Sequence, residues 1–286
     1  MPTKWQCDEL RAYSERASTQ RGKEMQPKPA FLGQQTASAF QEEGVVEAYQ
    51  QRPPYPDSVF DILDSLVADE PYHVLDVGCG TGFIARRLVG RVIHIDAVDI
   101  SPPMIEQGKR LPQGNSPALS WIVGAVEDAP LNPPYALITA GDSLHWMGWE
   151  VALPRFATML TPNGYLAILG VGQAQTPWDD DLLPILRRYS TIAGYRPYDI
   201  VEEVESRGLF QPVGRQVTAP ELFTQSLDAY IESFHGRASF SRERMGNAAA
   251  TFDAEVRALV SRYDAQMVTL QVVTEVVWGK PLQPPL

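Results

Sequence analysis

The stretch Val74-Leu75-Asp76-Val77-Gly78-Cys79-Gly80-Thr81-Gly82 restricts the folds open to this chain more than any other part of it. An apolar run ends in three glycines at alternate positions, and Phe83–Val89 continues with the pattern of a helix. Glycine reaches positive φ without steric penalty and lets a ligand approach the backbone. The open amides and dipole of a helix start favour a polar or anionic group nearby. In open α/β sheets, ligands sit outside the carboxyl ends of the strands. The spacing narrows the ligand. A dinucleotide fingerprint needs Gly-x-Gly-x-x-Gly, whereas here the run is Gly78-x-Gly80-x-Gly82 and Phe83 stands where the third glycine belongs. The Gly-Lys-Ser/Thr ending of a phosphate-binding P-loop is absent. Asp99 follows 21 residues after Gly78, at the end of the next apolar run. A carboxylate there can accept two hydrogen bonds from ribose hydroxyls.

The rest of the chain is read around that turn. Ile93–Ile100, Leu119–Val126, Tyr135–Ala140 and Tyr165–Val171 have strand patterns. Helices are predicted at Ala39–Gln50, Pro102–Arg110 and Glu150–Leu160, and from Asp57 as cap along the stripe Val59, Ile62, Leu63, Leu66 and Val67. Arg52–Pro56 is too proline-rich for helix. Alternating strands and helices predict a doubly wound α/β sheet with helices on both faces. Beyond Gly172, helices are predicted at Asp179–Ala193 and Asp199–Ser206, a strand at Gln211–Ala219 and a closing strand at Thr269–Trp278. Glu221–Gln266 carries two helical stripes and reads as a helical cap inserted into the α/β domain, which then comprises 39–220 and 267–286. Residues 1–38 read as a flexible arm with one short helix at Cys7–Arg16.

Charge and cysteine content exclude several classes. The 24 Lys+Arg against 35 Asp+Glu give a formal charge of −11, so nucleic acid and anionic membranes are not expected partners. Cys7 and Cys79 are the only cysteines, too few for a disulfide framework or a Cys-rich zinc site. No His/carboxylate pair has metal-ligand spacing, and Asp179-Asp180-Asp181 reads as an acidic helix start, so no metal is expected. With no apolar leader or long apolar run, the expectation is a cytoplasmic protein acting on a small molecule.

Val74–Gly82 followed by Asp99 resembles the class I S-adenosylmethionine-dependent methyltransferases, over about residues 40–172 and more weakly through the closing strand. The resemblance implies a seven-stranded sheet with the final strand antiparallel, and S-adenosyl-L-methionine as cofactor. It implies that Asp76, Gly78, Cys79, Gly80 and Gly82 hold the methionine portion and that Asp99 grips the ribose. Ile100 and Met104 would lie beside the adenine, Met104 covering its face. Gly124–Asp128 matches the adenine loop. Ala125 stands where the family often has an acid, leaving the Val126 backbone with Glu127 or Asp128 to replace it. Tyr49–Pro56 is similar to a Tyr-x-x-x-Pro-x-Tyr-Pro lead-in of small-molecule methyltransferases. Ser143-Leu144-His145-Trp146 resembles a Leu-His-Trp segment of the same subgroup, which includes trans-aconitate methyltransferase-like proteins. That subgroup carries Asn or Gln just before the segment. Here Gly141-Asp142 leaves a backbone contact from Gly141.

Methyl transfer from a sulfonium is an in-line displacement in which orientation alone supplies roughly 7–11 kcal/mol. A base is needed only when the acceptor must lose a proton. His145 is the candidate base; the alternative is that it packs beside Trp146 and orients a loop. Tyr49 either lines the methyl site or simply ends its helix. Arg52 either pairs with the cofactor carboxylate, which suits a planar guanidinium, or is a solvated loop charge. Cys79 fits packing better than nucleophilic chemistry. His73 and His94 read as structural, and His235 could face substrate. Tyr195, Tyr198, Tyr230, Phe234 and Phe240 flank the substrate side and would exclude water. O-methylation is the first expectation, with N- or C-methylation, a non-catalytic cofactor binder and an NAD-dependent oxidoreductase as alternatives.

Overall fold

The computed structural model describes residues 28–194, 198–263 and 265–283. The glycine turn follows β1 (His73–Val77), which lies at the centre of one mixed sheet. Its other strands are β2 (His94–Asp99), β3 (Leu119–Val123), β4 (Tyr135–Gly141), β5 (Leu160–Gln173), β6 (Phe210–Val217), β7 (Glu221–Ser226) and β8 (Met267–Pro281). The order is β3-β2-β1-β4-β5-β8-β6, with β7 also paired to β8. The first five strands are mutually parallel, and β8 runs antiparallel to β5. Strand order reverses between β1 and β4, which places a binding crevice at their carboxyl ends.

The eight strands occupy seven lanes. β6 pairs with Glu275–Pro281 and β7 with Met267–Val272, so the two run end to end along β8. Between them the Thr218 amide donates to the Thr274 carbonyl, and the Thr274 amide donates to Thr218 Oγ1. The doubly wound seven-stranded α/β architecture with an antiparallel final strand is therefore observed. The beginning of the cap is different. Glu221–Ser226 is strand, because Met267–Val272 of β8 offers those residues an antiparallel partner. Helix starts only at Leu227, where Ser226 Oγ accepts the Ala229 amide.

The helices used below are α1 (Glu43–Ala48), α2 (Ser58–Leu66), α3 (Ala85–Leu88), α4 (Pro102–Arg110), α5 (Trp149–Met159), α6 (Asp179–Tyr189), α7 (Ile200–Ser206), α8 (Leu227–His235) and α9 (Ala248–Ser261). Neighbouring residues of β1 pack on opposite faces of the sheet. Val74 joins the α2 side with Val59 and Leu63, and Leu75 joins the α5 side with Trp149 and Phe156. A third core unites α6, α8 and α9 with the first half of β8. Asp57 does not cap α2: its carboxylate binds Arg87 at 2.5 Å, and Glu221 takes the amides of Asp57 and Ser58 instead.

The helix expected over Ala39–Gln50 is broken into short helical turns on either side of α1. Of the arm expected over 1–38, the first 27 residues, including the Cys7–Arg16 helix, lie outside the described set. Phe31 and Leu32, by contrast, are buried in the α5-side core.

Candidate active site

Gly78 and Gly80 adopt φ of +61° and +55°, a region that favours glycine. At Gly78 a side chain is also sterically blocked, since a Cβ would lie 2.6 Å from that of Ser143. Ser143 Oγ donates to the Val77 carbonyl at 2.6 Å, locking the loop after β4 against the end of β1. At Gly80 a Cβ would meet the Tyr49 hydroxyl at 3.5 Å, so Tyr49 stands over the middle of the turn.

Two carboxylates fix this turn in different ways. Asp76 is 2% exposed. One of its oxygens accepts the Ala85 amide at 3.1 Å and the other the Thr139 hydroxyl at 2.9 Å. Burial pushes its pKa up to about 7. Asp76 thus supports the turn from beneath and has no face toward a ligand, unlike the role expected for it. Asp99 is half-buried and also raised by burial, against the pull of two backbone amides. Its oxygens accept from Gly80 and Ser101, each at 2.8 Å. A carboxylate has about four acceptor positions, so both oxygens can take a further hydroxyl. Cys79 is buried, and burial drives its thiol well above the usual range, as suits packing.

The residues expected around an adenine are less open. Ile100 is exposed. Met104 is 1% exposed and lies under Val45 and Val46 of α1, so it offers no free face in this arrangement. Val126 is buried and its carbonyl accepts Arg155 Nη1 at 2.8 Å. Glu127 Oε1 accepts the Gly148 amide at 2.6 Å, ahead of α5. Its carboxylate is therefore engaged in holding that helix start.

β4 ends at Gly141, where a Cβ would clash with the Tyr55 hydroxyl. Asp142 follows with φ +48° and donates its amide to the Leu169 carbonyl. Its carboxylate lies 3.6 Å from Arg52 Nη2, and the Arg52 guanidinium sits 5.0 Å from the centre of the Tyr49 ring. Tyr49 and Arg52 are thus brought together, between the glycine turn and Asp142. Burial raises the Tyr49 phenol, so it remains protonated.

His145 sits in the short helical turn Leu144–Trp146, its ring 4.4 Å from that of Trp146. Burial, then Lys28 and Arg52, pull its pKa down to about 3. A base works best with a pKa near the working pH. His145 is neutral but weakly basic, which favours the packing alternative.

Arg52, Asp142, His145 and Trp146 line a cavity of about 660 Å³ beyond the tips of β4 and β5. Phe31 and Phe40 close one side of it, and Tyr230, Phe234 and Arg237 another. Tyr198 also reaches it, Phe240 is stacked into the cap core against Phe252, and Tyr195 lies outside the described residues. His235 does not face substrate. It is fully buried, with Nδ1 2.7 Å from the Phe240 carbonyl and Nε2 2.7 Å from Asp253. His73 and His94 meet each other, and neither lines the cavity. Sequence reasoning missed Arg237, hidden among apolar cap residues, and treated Asp142 only as a departure from a pattern. Among the described residues, no group of three His, Cys, Asp or Glu could hold a metal, and no helix is long and apolar enough to cross a membrane.

Residues 74–164 match the methyltransferase domain family model. An uncharacterised methyltransferase of Mycobacterium tuberculosis H37Rv, Rv3342, is 32% identical over 184 residues, covering 63% of this chain and 64% of that protein. An uncharacterised methyltransferase-like protein of Schizosaccharomyces pombe, C25B8.10, is 32% identical over 142 residues, covering 48% and 54%. The chain thus spans about half to two thirds of the length of these curated relatives. A malonyl-acyl-carrier-protein O-methyltransferase of Ilyobacter polytropus is 37% identical over 84 residues, 29% of this chain and 31% of that one. Among solved structures, a protein of Anaeromyxobacter dehalogenans provisionally named a type II methyltransferase superposes with a TM-score of 0.61 at 21% identity, over 82% of this chain and 99% of that one. At that identity the likeness shows the fold alone.

Proposed function

We propose, from the premise that residues 74–164 are a class I methyltransferase domain, that the chain transfers a methyl group from S-adenosylmethionine to a small organic acceptor, with O-methylation first. The observation that carries this reading is a cavity set beside the glycine turn. The cavity reaches Arg52 and Asp142, while Tyr49, stacked on Arg52, stands over Gly80 of that turn. Its volume suits an acceptor of drug-like size. The Tyr49–Pro56 and Ser143–Trp146 segments favour the small-molecule subgroup that includes trans-aconitate methyltransferase-like proteins. The relative named as an O-methyltransferase supports O- over N- or C-methylation.

The residues present fit the cofactor. Gly78 and Gly80 leave the backbone bare, and Asp99 keeps acceptor capacity for ribose hydroxyls after binding Gly80 and Ser101. Arg52 would hold a carboxylate, as a planar guanidinium does well. When bound, S-adenosylmethionine supplies a methyl already activated on a sulfonium. The chain's own part is orientation and exclusion of water. Phe31, Phe40 and Trp146 wall the cavity, and neutral His145 adds a hydrogen-bonding surface rather than a proton acceptor. The acidic surface leaves nucleic acid and anionic membranes as poor partners.

Calorimetry with S-adenosylhomocysteine, NAD as the control, tests the cofactor. Incubating the chain with methyl-labelled S-adenosylmethionine and a metabolite extract then reveals the acceptor. Saturable NAD binding with no S-adenosylhomocysteine binding would reject the reading in favour of the oxidoreductase alternative. Binding without any labelled product would leave a cofactor-binding protein of this fold.

A further inference from the structure

We propose that Asp142 is the proton acceptor of the reaction and that the acceptor molecule is a hydroxyl compound. This rests on the methyl-transfer reading above.

Three geometric facts single Asp142 out. It stands at the carboxyl tip of β4, lines the cavity, and faces Arg52, the stacking partner of the Tyr49 that covers the glycine turn. It is one of three non-glycine residues with positive φ among those described, and the only one of the three that lines the cavity. A strained backbone at such a place is where function concentrates. Its partner Arg52 lies at 3.6 Å, beyond good hydrogen-bond distance, so the pairing is electrostatic and leaves the carboxylate able to accept.

The other titratable groups of the cavity are less suited. Asp179 accepts both the amide and the hydroxyl of Thr176 at the start of α6, and Asp180 accepts from Gln175. His145 is too weak a base. The charged and titratable groups acting on Asp142 are Arg52, Arg237, Tyr49 and Tyr55, and the Val171 amide also donates to it. Burial outweighs the two guanidiniums and that amide, and raises its affinity for a proton above that of an ordinary aspartate.

The step balances without another reagent. The acceptor hydroxyl gives its proton to the Asp142 carboxylate as its oxygen forms the bond to the methyl carbon. The carbon–sulfur bond breaks, its electron pair stays on sulfur, and the products are a methyl ether and the neutral thioether. Protonated Asp142 then returns the proton to solvent. A carboxylate acceptor would need no such group.

The test uses the full chain and Asp142→Asn, which keeps size and tolerates positive φ. Labelled S-adenosylmethionine is offered with a panel of phenols and aliphatic alcohols, and with carboxylic acids for comparison. For hydroxyl acceptors, kcat/KM of the wild type should rise with pH to a plateau, and Asp142→Asn should lower that plateau at least 100-fold. S-adenosylhomocysteine affinity by calorimetry should change less than threefold. Asp142→Glu should recover at least tenfold of the loss. In carboxyl-labelled protein, the carbon NMR signal missing from Asp142→Asn should titrate above the ordinary aspartate range. Four results would overturn the proposal: hydroxyl turnover by Asp142→Asn within threefold of wild type, a wild type that methylates only carboxylic acids, loss of S-adenosylhomocysteine binding parallel to loss of turnover, or a normal Asp142 titration. If the wild type binds S-adenosylhomocysteine but labels nothing in the panel or in an extract, the methyl-transfer reading fails first.

Discussion

Asp99 accepts the Gly80 amide at 2.8 Å, so the tip of β2 holds the midpoint of the turn that leaves β1. The same carboxylate anchors the start of α4 through Ser101. Removing it would free the Gly80 amide and, on the proposed function, remove the ribose acceptor together. Asp99→Ala is expected to weaken S-adenosylhomocysteine binding at least tenfold by calorimetry, about 1.4 kcal/mol. Asp99→Asn, which keeps one acceptor oxygen, should lose less. Unchanged affinity in both variants would remove Asp99 from the cofactor site.

Arg244 joins the amino-terminal segment to the cap. Its Nε donates to Glu42 at 2.6 Å, and its other nitrogens reach the Gln35 carbonyl and the Ser38 hydroxyl. Glu243 adds a bond from the Gly44 amide. These contacts hold down the segment that brings Phe40 to the cavity. Arg244→Ala is expected to raise amide exchange across residues 34–48 at least tenfold, with global stability falling by only about 1–2 kcal/mol. Protection in that segment equal to wild type would show that the ion pair does not fasten it.

Much of this was legible in the sequence because it rests on local patterning. The short apolar runs, the glycines and Pro102 gave the parallel half of the sheet, and Asp99 could be placed at the tip of β2 because its distance from the turn is set by one strand–helix–strand unit. Partners distant in sequence were not legible. Nothing in Glu221–Ser226 announces that β8 will pair with it, or that Glu221 will cover the amides at the start of α2. Asp76, Met104 and Glu127 match a cofactor pattern by position, but their side chains are engaged by Ala85, by α1 and by Gly148, none of which spacing can specify. Arg237 carries no motif at all; it matters only because the cap folds over the cavity.

Gly78 combines a positive φ with a close neighbour, the Cβ of Ser143. Alanine there must leave the left-handed region or accept roughly 1–2 kcal/mol of strain, and must also displace the loop that carries Asp142 and His145. Overpacking adds about 1–3 kcal/mol. Gly78→Ala should therefore lower stability by about 2–4 kcal/mol in urea titration and abolish S-adenosylhomocysteine binding. Gly170→Ala, at a site with open space around it, is the control and should change neither. A Gly78→Ala protein as stable as wild type would mean that the turn can rearrange.

Asp76 and His145 give stability opposite pH dependences. The Asp76 pKa is raised by burial to about 7, above the ordinary value near 3.9. Its contribution is present below pH ~4 and lost as pH climbs through about 7. His145 is depressed to about 3. Its contribution is present above the ordinary histidine value near 6.5 and lost as pH falls toward about 3. Each spans roughly three pH units, or about 4 kcal/mol as an upper bound. Asp76→Asn can still accept the Ala85 amide through its oxygen and donate to the Thr139 hydroxyl through its nitrogen, without a charge to desolvate. Urea titrations at pH 5 and pH 8 should therefore show the wild type losing more stability than Asp76→Asn toward the alkaline side. His145→Gln, with no proton to gain, should lose less than the wild type between pH 6 and pH 4. Parallel pH dependences of the wild type and Asp76→Asn would mean that Asp76 is charged in the folded chain, in which case the glycine turn would rest on an ion rather than on a neutral hydrogen-bonded strut.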